Sequence, residues 1–267
     1  MLKQLYPRCD VVHPLEGTYL ALNLHQQARQ GDVFIYANYI VSLDGRIALF
    51  DEVVGEYAVP KSIANERDWR LYQELAGQAD VMLTSARYFR QLAQNKAQDL
   101  LPVGGGTKYT DIKLWRESQG LKAQPDVMVL SNSLDIPLSA LEKVQDRQVM
   151  VLTSSKDQSN IETLEKAGVL VKQTDHVTGA FVRQSLVDLK YRSAYMIAGP
   201  QVHATLINDK AVDELFLTTH FSLLGGTKFS GLVDMDLANV QSLKLQSSYL
   251  DTQGNQMFHR FSYVESF

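Results

Sequence analysis

Cysteine is nearly absent from this chain of 267 residues, because Cys9 is the only one. A single cysteine excludes a disulfide framework within the chain, and it also excludes zinc sites that are built from clustered cysteines. The six histidines are scattered, and no two of them have the helical spacing of a zinc motif. We therefore expect no metal site.

Basic charge and long apolar runs are scarce as well. The formal net charge is −4, with 26 lysines and arginines against 30 aspartates and glutamates. Such a balance predicts no nucleic-acid partner, although a local basic pocket for a phosphate stays open. The N-terminus lacks the apolar core of a signal peptide, and no apolar run approaches the roughly 20 residues that span a bilayer. We expect a cytoplasmic protein with a small-molecule substrate and no membrane partner.

The chain does contain an alternation of strand-like and helix-like segments. Runs rich in β-branched and aromatic residues predict strands, and amphipathic stretches between several of them predict helices. The predicted strands are 33–37, 80–84, 126–131, 148–153, 169–173, 194–198 and 213–219. The predicted helices include 62–77, 86–98, 159–167 and 179–191. Near the end, 240–250 and 256–264 alternate polar and apolar residues around a turn, which predicts a hairpin.

This order predicts an α/β fold with a mostly parallel central sheet, flanking helices and a C-terminal antiparallel hairpin. We assign residues 1–31 to an N-terminal extension with a short helix near 19–29, and residues 32–267 to one domain. Two helix starts carry cap signals. They are Asn65 with Asp68, and the capping box of Ser159 with Glu162.

The stretch from Asn38 to Arg46 is the most informative candidate site. The apolar run before it is broken by Ser42 and by the pair Asp44-Gly45, which predicts the end of a core strand. A carboxylate fixed there is well placed for proton chemistry, so Asp44 is a candidate catalytic residue. Asn38 faces nearly the same way as Ser42, because strand side chains repeat every two residues. The alternative is that Asp44 only bonds local backbone in a turn.

Glycines mark two further strand ends. Gly199 ends an apolar strand and Pro200 suits the first turn of a helix, whose free N–H groups would bind a phosphate. An ordinary strand-to-helix connection explains the same residues. Gly225 and Gly226 either allow a backbone to approach a ligand closely or form a plain turn.

Hydroxyl groups and a glycine run supply weaker candidates. The hydroxyls at 84–85 and 153–155, with Lys156, would hold phosphate or ribose, or else cap the next helices. The three glycines at 104–106 form either a phosphate cradle or a flexible surface loop, because the Lys-Ser/Thr ending of a P-loop is missing.

Taken in order, these pieces resemble the pyrimidine reductase family of riboflavin biosynthesis, whose fold is like that of dihydrofolate reductase. The matching motifs are NYIVSLDG at 38–45, QADVMLTS at 78–85, IAGPQVH at 197–203, VDEL at 212–215 and LGG at 224–226. The resemblance runs from about residue 33 to the C-terminus. Its first motif is fairly specific, and the others gain weight from their order.

The resemblance implies an NADPH-dependent reductase that transfers hydride to a ribosylamino-pyrimidine or a related small heterocycle. It makes Asp44 catalytic, and it makes Asn38 and Ser42 substrate-binding. The residues that it places at the cofactor are Val41, Ser85, Tyr88, Thr153, Gly199, Pro200, Gln201, Val202, His203, Gly225 and Gly226. Backbone N–H groups after Pro200 would hold the pyrophosphate. A homodimer is also implied, with an edge strand of the C-terminal hairpin available to pair across a two-fold axis.

The chain departs from the family pattern at several positions. Family members of the bacterial type carry Lys where Asn38 stands, and a substrate-contacting Glu where Ala198 stands. Other departures are Ala76, Tyr88 and Leu92. A second hypothesis is therefore a catalytically diverged dinucleotide-binding protein of the same fold. A third is an unrelated α/β phosphosugar enzyme that uses the glycines at 104–106.

Overall fold

One large sheet organises the chain in the computed structural model, which describes residues 1–52, 55–97, 103 and 106–264. The strands of this part are β1 (Leu2–Tyr6), β2 (Val12–His13), β3 (Phe34–Ser42), β4 (Ala48–Asp51), β5 (Glu56–Ala58), β6 (Val81–Ser85), β7 (Asp126–Leu130), β8 (Val149–Thr153), β9 (Leu170–Gln173), β10 (Ser193–Met196), β11 (Glu214–His220), β12 (Phe229–Ser230), β13 (Leu243–Asp251) and β14 (Gln256–Tyr263). The α-helices are α1 (Glu66–Ala76), α2 (Ala86–Ala93), α3 (Thr110–Ser118), α4 (Leu138–Leu141), α5 (Gln158–Lys166), α6 (Gly179–Asp188) and α7 (Pro200–Asn208).

The large sheet has a parallel part and an antiparallel part. Its strand order is β2-β1-β13-β14-β11-β3-β10-β6-β7-β8-β9. Every neighbouring pair from β11 to β9 is parallel. The pairs from β2 to β11 are antiparallel. The predicted α/β architecture, with a mostly parallel sheet and a C-terminal antiparallel hairpin, is confirmed.

The central strands are buried on both faces, which explains their continuous apolar runs. In β7, for example, Val127 and Val129 pack in one core and Met128 packs in the other. Helices α1 to α5 cover the first face, and α6 and α7 cover the second. Helix α2 follows β6 and α7 follows β10, and these two strands are neighbours. The chain therefore leaves adjacent strands toward opposite faces, which creates a crevice at their carboxyl ends.

Residues 1–31 contribute strands to the large sheet. β1 pairs with β13, and β2 pairs with β1, so this segment forms one edge of the sheet. The C-terminal hairpin is consequently interior, because β1 covers β13 and β11 covers β14. The prediction that a hairpin strand offers an open edge for dimerisation is wrong for that reason. A domain boundary at residue 31 stays a prediction.

The helix predicted near 19–29 is also wrong. Two 3-10 turns, Leu20–Leu22 and Leu24–Gln26, take its place. Asn23 lies between the two turns in the left-handed region, at φ +50°, and this interrupts a continuous helix. Glu74 of α1 anchors the segment, because its carboxylate accepts hydrogen bonds from three backbone N–H groups near its start. These donors are Gly17 at 2.6 Å, Tyr19 at 2.9 Å and Leu20 at 3.3 Å. The side chain of a distant helix thus satisfies N–H groups that have no acceptor within the first turn.

The caps of two helices were predicted, and one prediction is confirmed. The Asn65 side chain accepts the N–H groups two and three residues later and caps α1. Helix α5 is capped by Asp157, so the predicted capping box of Ser159 and Glu162 is wrong. Of the predicted glycine loop at 104–106, the first two positions lie outside the described residues.

A small sheet, in the order β12-β4-β5, was not predicted. Its β4–β5 hairpin follows the end of β3. The Arg87 guanidinium of α2 donates to the Glu56 carboxylate at 3.1 Å and to the Tyr57 carbonyl. The hairpin therefore connects the end of β3 to the start of α2, beside the crevice. Its strands have two to four residues, which is too short to leave a periodic pattern.

Candidate active site

Most of the predicted site residues lie at the carboxyl ends of the parallel strands. Ser42 ends β3, Gly199 follows β10 and Ser85 ends β6, and these three strands are adjacent in the sheet. Thr153 ends β8, which lies two strands beyond β6. The fold therefore brings the first three residues together at the crevice between α2 and α7.

Asp44 lies in the turn after β3, and its carboxylate is held by groups from that turn and from the loop after β11. The hydrogen-bond donors are the Ser42 hydroxyl at 2.5 Å, the Gly225 N–H at 2.8 Å and the Leu224 N–H at 3.1 Å, and the Arg46 guanidinium forms an ion pair with the carboxylate at 2.9 Å. These contacts, led by the Ser42 hydrogen bond, hold the pKa of Asp44 well below its usual range. The carboxylate fastens the turn after β3 to the loop after β11. It is a poor proton donor.

Three residues beside Asp44, namely Ser42, Gly225 and Gly226, are also bonded within these two loops. The buried Ser42 hydroxyl donates to Asp44 and accepts the Arg46 N–H at 3.1 Å. Gly225 and Gly226 have φ values of +65° and +83°, a region that favours glycine. The Gly225 N–H is bonded to Asp44, and the Gly226 carbonyl accepts from Arg46 at 3.3 Å. These glycines therefore serve the loop geometry.

Helix α7 presents unpaired N–H groups to the crevice. Gly199 is its N-cap, Pro200 stands in its first turn, and that turn has no acidic side chain. Within the described chain, no hydrogen bond uses the N–H of Gln201 or Val202. A Cβ built on Gly199 would meet no heavy atom within 4 Å, so the space in front of the helix is open. Free N–H groups and the helix dipole together favour an anion there.

His203 already has partners within the protein for its N–H and for both ring nitrogens. Its N–H already donates to the Gly199 carbonyl at 3.2 Å. Its buried ring lies between the Leu232 carbonyl, 3.1 Å from Nδ1, and the Tyr263 hydroxyl, 2.8 Å from Nε2. Burial lowers the pKa of His203, so the neutral ring donates from Nδ1 and accepts at Nε2. The residue joins α7 to the C-terminal hairpin, and its assignment to the cofactor stays a prediction.

The other predicted cofactor residues differ in accessibility. Ser85 is the half-buried N-cap of α2, and its side chain makes no capping hydrogen bond. The side chains of Val41, Tyr88 and Thr153 are buried. The Thr153 hydroxyl also accepts the Ser155 N–H at 3.0 Å. Of these four, Ser85 is therefore the side chain that a ligand in the crevice can reach.

Asn38 is half-buried on β3, on the sheet face that α1 covers. Beside it lies the fully buried hydroxyl of Tyr195 on β10. Burial raises the pKa of Tyr195, and the nearby Asn38 amide opposes this shift. No described residue makes a hydrogen bond of normal geometry with that hydroxyl. An unpaired buried hydroxyl is costly. Of the two polar groups, the half-buried Asn38 amide is the one that a ligand can reach.

Asp68 is a candidate site residue that sequence reasoning treated only as part of a helix cap. It lies in the first turn of α1, half-buried, beside Thr218 of β11. Burial raises the pKa of Asp68 to about 6, and a hydrogen bond with the Thr218 side chain opposes the shift. No lysine or arginine in the described part of the chain forms an ion pair with it. A substantial fraction of Asp68 therefore carries a proton at mildly acidic pH.

Aromatic rings continue from Asp68 along α1. Trp69 stacks on Tyr72 with ring centroids 4.7 Å apart and an interplanar angle of 5°. Tyr72 in turn meets Tyr195, with centroids 5.4 Å apart. Because Trp69 is half-buried, its ring lines the surface next to Asp68. A planar heterocycle stacks well on rings of this kind.

The first turn of α1 is anchored to the end of the C-terminal hairpin. Arg67 donates from Nε to the buried Asp251 carboxylate at 2.7 Å, and Gln256 donates to the same carboxylate at 3.1 Å. Asn65 donates to the Gln256 side chain at 2.8 Å. These contacts fix the start of α1, and hence Asp68, against the sheet.

The described ranges contain neither a cluster of metal-binding side chains nor a membrane-spanning helix. There, no three or more histidine, cysteine, aspartate or glutamate side chains are grouped as a metal site would need. No described helix has the length and apolar character to cross a membrane.

The family model for the RibD C-terminal domain matches residues 33–257. No curated protein matches the sequence. A pyrimidine reductase-like protein from Corynebacterium diphtheriae has a similar structure, with 18% identity, a TM-score of 0.71, and coverage of 93% of this chain and 100% of that one.

Two further solved structures are similar. RibD of Acinetobacter baumannii is 18% identical with a TM-score of 0.65, and the match covers 88% of this chain and 58% of that one. The present chain therefore spans little more than half the length of that RibD. The riboflavin biosynthesis reductase Rib7 of Saccharomyces cerevisiae is 16% identical with a TM-score of 0.56, and the match covers 93% of this chain and 99% of that one. At these identities the likeness is one of fold.

Proposed function

Because the chain belongs to the RibD C-terminal domain family, we propose that it is an NADPH-dependent reductase of a ribosylamino-pyrimidine or a related small heterocycle. The observation that carries the proposal is the crevice at the adjacent ends of β6 and β10. Helices leave these strands toward opposite faces, and one helix start has two free N–H groups. Crevices at such points in open α/β sheets are where dinucleotides bind.

The residues of the crevice fit the pyrophosphate of a dinucleotide. Gln201 and Val202 would hold it through their N–H groups, and Ser85 would add a hydroxyl from the start of α2. When bound, the cofactor supplies a hydride from its nicotinamide. On the neighbouring strand β3, Asn38 would hydrogen-bond the substrate. Asp44 would act as a positioning residue, because its carboxylate holds together the two loops at the end of β3 and β11.

A substitution at Gly199 tests the cofactor site directly. Gly199 is the N-cap of α7, and an aspartate at this position accepts the N–H groups two and three residues later. Those groups belong to Gln201 and Val202, so Gly199→Asp would occupy both donors and add a negative charge. We expect an unchanged or higher apparent Tm without ligand. We expect the NADPH-induced rise in Tm to disappear, with at least a roughly 100-fold weaker Kd, because two hydrogen bonds to a charged group are lost.

The control for this test is Gly199→Ala, which adds only a methyl group to open space and should weaken NADPH binding less. NADH and FMN serve as comparison ligands in the same thermal-shift series. Undiminished NADPH binding by Gly199→Asp would contradict the assigned site. If the wild-type protein binds NADPH but oxidises none with any pyrimidine or pterin substrate, the diverged dinucleotide-binding protein becomes the better description.

We also propose a homodimer, which rests on the family. The β1–β2 edge of the sheet carries exposed apolar side chains, among them Leu5, Val11 and Val12. Light scattering at micromolar concentration tests the assembly, and a monomer mass would contradict it.

A further inference from the structure

Asp68 is the group at this edge of the sheet that the cofactor site leaves unexplained. Its neighbour Thr218 lies on β11, and Gly199 follows β10, with β3 and its Asn38 between those two strands. Two strand spacings amount to roughly 10 Å. A single heterocycle placed over β3 would therefore reach Asp68 on one side and the α7 crevice on the other.

The other carboxylates near this edge are already paired. Asp44 accepts hydrogen bonds from Ser42, Leu224 and Gly225, and it forms an ion pair with Arg46. Glu56 accepts from Gln91 at 2.6 Å and from Arg87 at 3.1 Å, and the Gln91 contact leads the causes that lower its pKa. Both carboxylates are therefore ionised at neutral pH. Asp68 is the carboxyl that has neither a cation nor a set of backbone donors around its oxygens.

The groups that face Asp68 do not favour its ionised form. Tyr19 of the N-terminal segment and Tyr195 of β10 are both fully buried with a raised pKa, so both stay neutral. Thr218 offers one hydroxyl, and Tyr72 is the titratable neighbour on the same helix face, also with a raised pKa. The start of α1 does favour an anion through its dipole. Burial outweighs the Thr218 hydrogen bond and the helix dipole, so the Asp68 carboxyl retains its proton to higher pH than usual.

We propose, on the basis of the reductase function above, that Asp68 is the catalytic acid that protonates the substrate nitrogen while Asn38 orients the substrate. The aromatic pair of Trp69 and Tyr72 gives the heterocycle a surface to stack on. The anchor between Arg67 and Asp251 keeps the acid fixed in the first turn of α1.

The chemistry balances for a C=N substrate. The imine carbon accepts a hydride from the reduced nicotinamide, which is thereby oxidised. The C=N π bond breaks, and its electron pair takes the proton of the Asp68 carboxyl to form an N–H bond. The resulting carboxylate recovers a proton from water. General acids positioned in this way contribute about 10²–10⁴-fold to rate.

The test compares Asp68→Asn, Asp68→Glu and the wild-type protein in NADPH oxidation with a ribosylamino-pyrimidine between about pH 5 and pH 8. Glu66→Gln is the matched control, because Glu66 lies in the same helical turn and its exposed carboxylate pairs with Lys108 at 2.9 Å. It removes the same charge from the same turn without touching the cleft. NADPH Kd is measured for every variant, and a ¹³C titration of the Asp68 carboxyl is recorded without any ligand.

We expect the wild-type kcat to fall as pH rises above about 6, as it does for a required acid. Asp68→Asn should bind NADPH normally, lose about 10²–10⁴-fold in kcat and lose this pH dependence, and Asp68→Glu should recover part of the rate. Glu66→Gln should match the wild type. The ¹³C titration should have its midpoint near 6.

Two kinds of failure are distinguishable. An active wild-type protein whose Asp68→Asn variant keeps its kcat or its pH profile overturns the assignment of Asp68 alone. A carboxyl midpoint near the ordinary value of about 3.9 has the same consequence. A wild-type protein that neither binds nor oxidises NADPH overturns the reductase function and this inference with it.

Discussion

Asp68 and Asp44 should give the protein two opposite dependences of stability on pH. Burial raises the pKa of Asp68 from an ordinary 3.8 to about 6, so the folded state binds this proton more tightly than the unfolded state does. The contribution of Asp68 to stability is therefore full below about pH 3.8 and is lost as the pH rises through about 6.

The size of this effect follows from the same shift. The two pKa values differ by about two pH units, and each unit corresponds to about 1.4 kcal/mol, which gives about 3 kcal/mol. Because Asp68 is half-buried, this figure is an upper bound. Asp68→Asn keeps the shape of the side chain and an acceptor for Thr218, but it does not titrate. We expect the variant to match the wild type near pH 4 and to be up to about 3 kcal/mol more stable near pH 8.

Thermal and urea unfolding, followed by circular dichroism at both pH values, measure the difference. For a chain of this size the gain near pH 8 corresponds to roughly 5–10 °C in Tm.

Asp44→Asn is the counterpart with the opposite sign. The pKa of Asp44 is lowered, chiefly by the Ser42 hydrogen bond, so its contribution is present at neutral pH and is lost in acid. That variant should be less stable than the wild type near pH 8. Equal stability of Asp68→Asn and the wild type at both pH values would refute the reasoning.

Three further substitutions probe contacts that hold the site in place. Arg67→Met leaves the Asp251 carboxylate buried without its cation, so urea denaturation should show a loss of about 3–5 kcal/mol, and a loss below about 1 kcal/mol would mean that water reaches the pair. Glu74→Ala removes the acceptor of three backbone N–H groups in residues 17–20, so their amide exchange should accelerate more than that of α1, and equal acceleration would point to global destabilisation instead. Gly225→Ala forces a side chain into a φ of +65°, which should cost about 1–2 kcal/mol in thermal unfolding, and a neutral result would show that the loop relaxes.

The parallel centre of the sheet was predictable because its strands are buried on both faces. Such strands read as continuous apolar runs, and β7 and β8 were found from these runs alone. The Asn65 cap was found for a similarly local reason, since its partners lie two and three residues away. The turn after β3 was also visible, because Asp44-Gly45 is a local signal.

The remaining features depend on partners far along the chain. The start of the segment 19–29 is anchored by Glu74, and no pattern within the segment reveals that distant acceptor. The pKa of Asp68 is set by burial and by the Thr218 hydrogen bond. Neither is visible in the sequence, where the position looks like part of an ordinary helix cap. The ring partners of His203, Leu232 and Tyr263, lie outside the local motif, so that motif did not reveal them.

The Ser-Leu-Asp-Gly turn illustrates why a motif residue and the proton donor need not coincide. Asp44 accepts hydrogen bonds from Ser42, Leu224 and Gly225 and forms an ion pair with Arg46, and protonating it would weaken these contacts. The contacts that make the turn rigid therefore remove its carboxylate from acid chemistry. On our proposal the proton comes from another element, α1, whose Asp68 carboxyl has no cation partner in the described chain and faces the same side of the sheet as Asn38. The motif would then supply the geometry of the cleft while Asp68 supplies the proton.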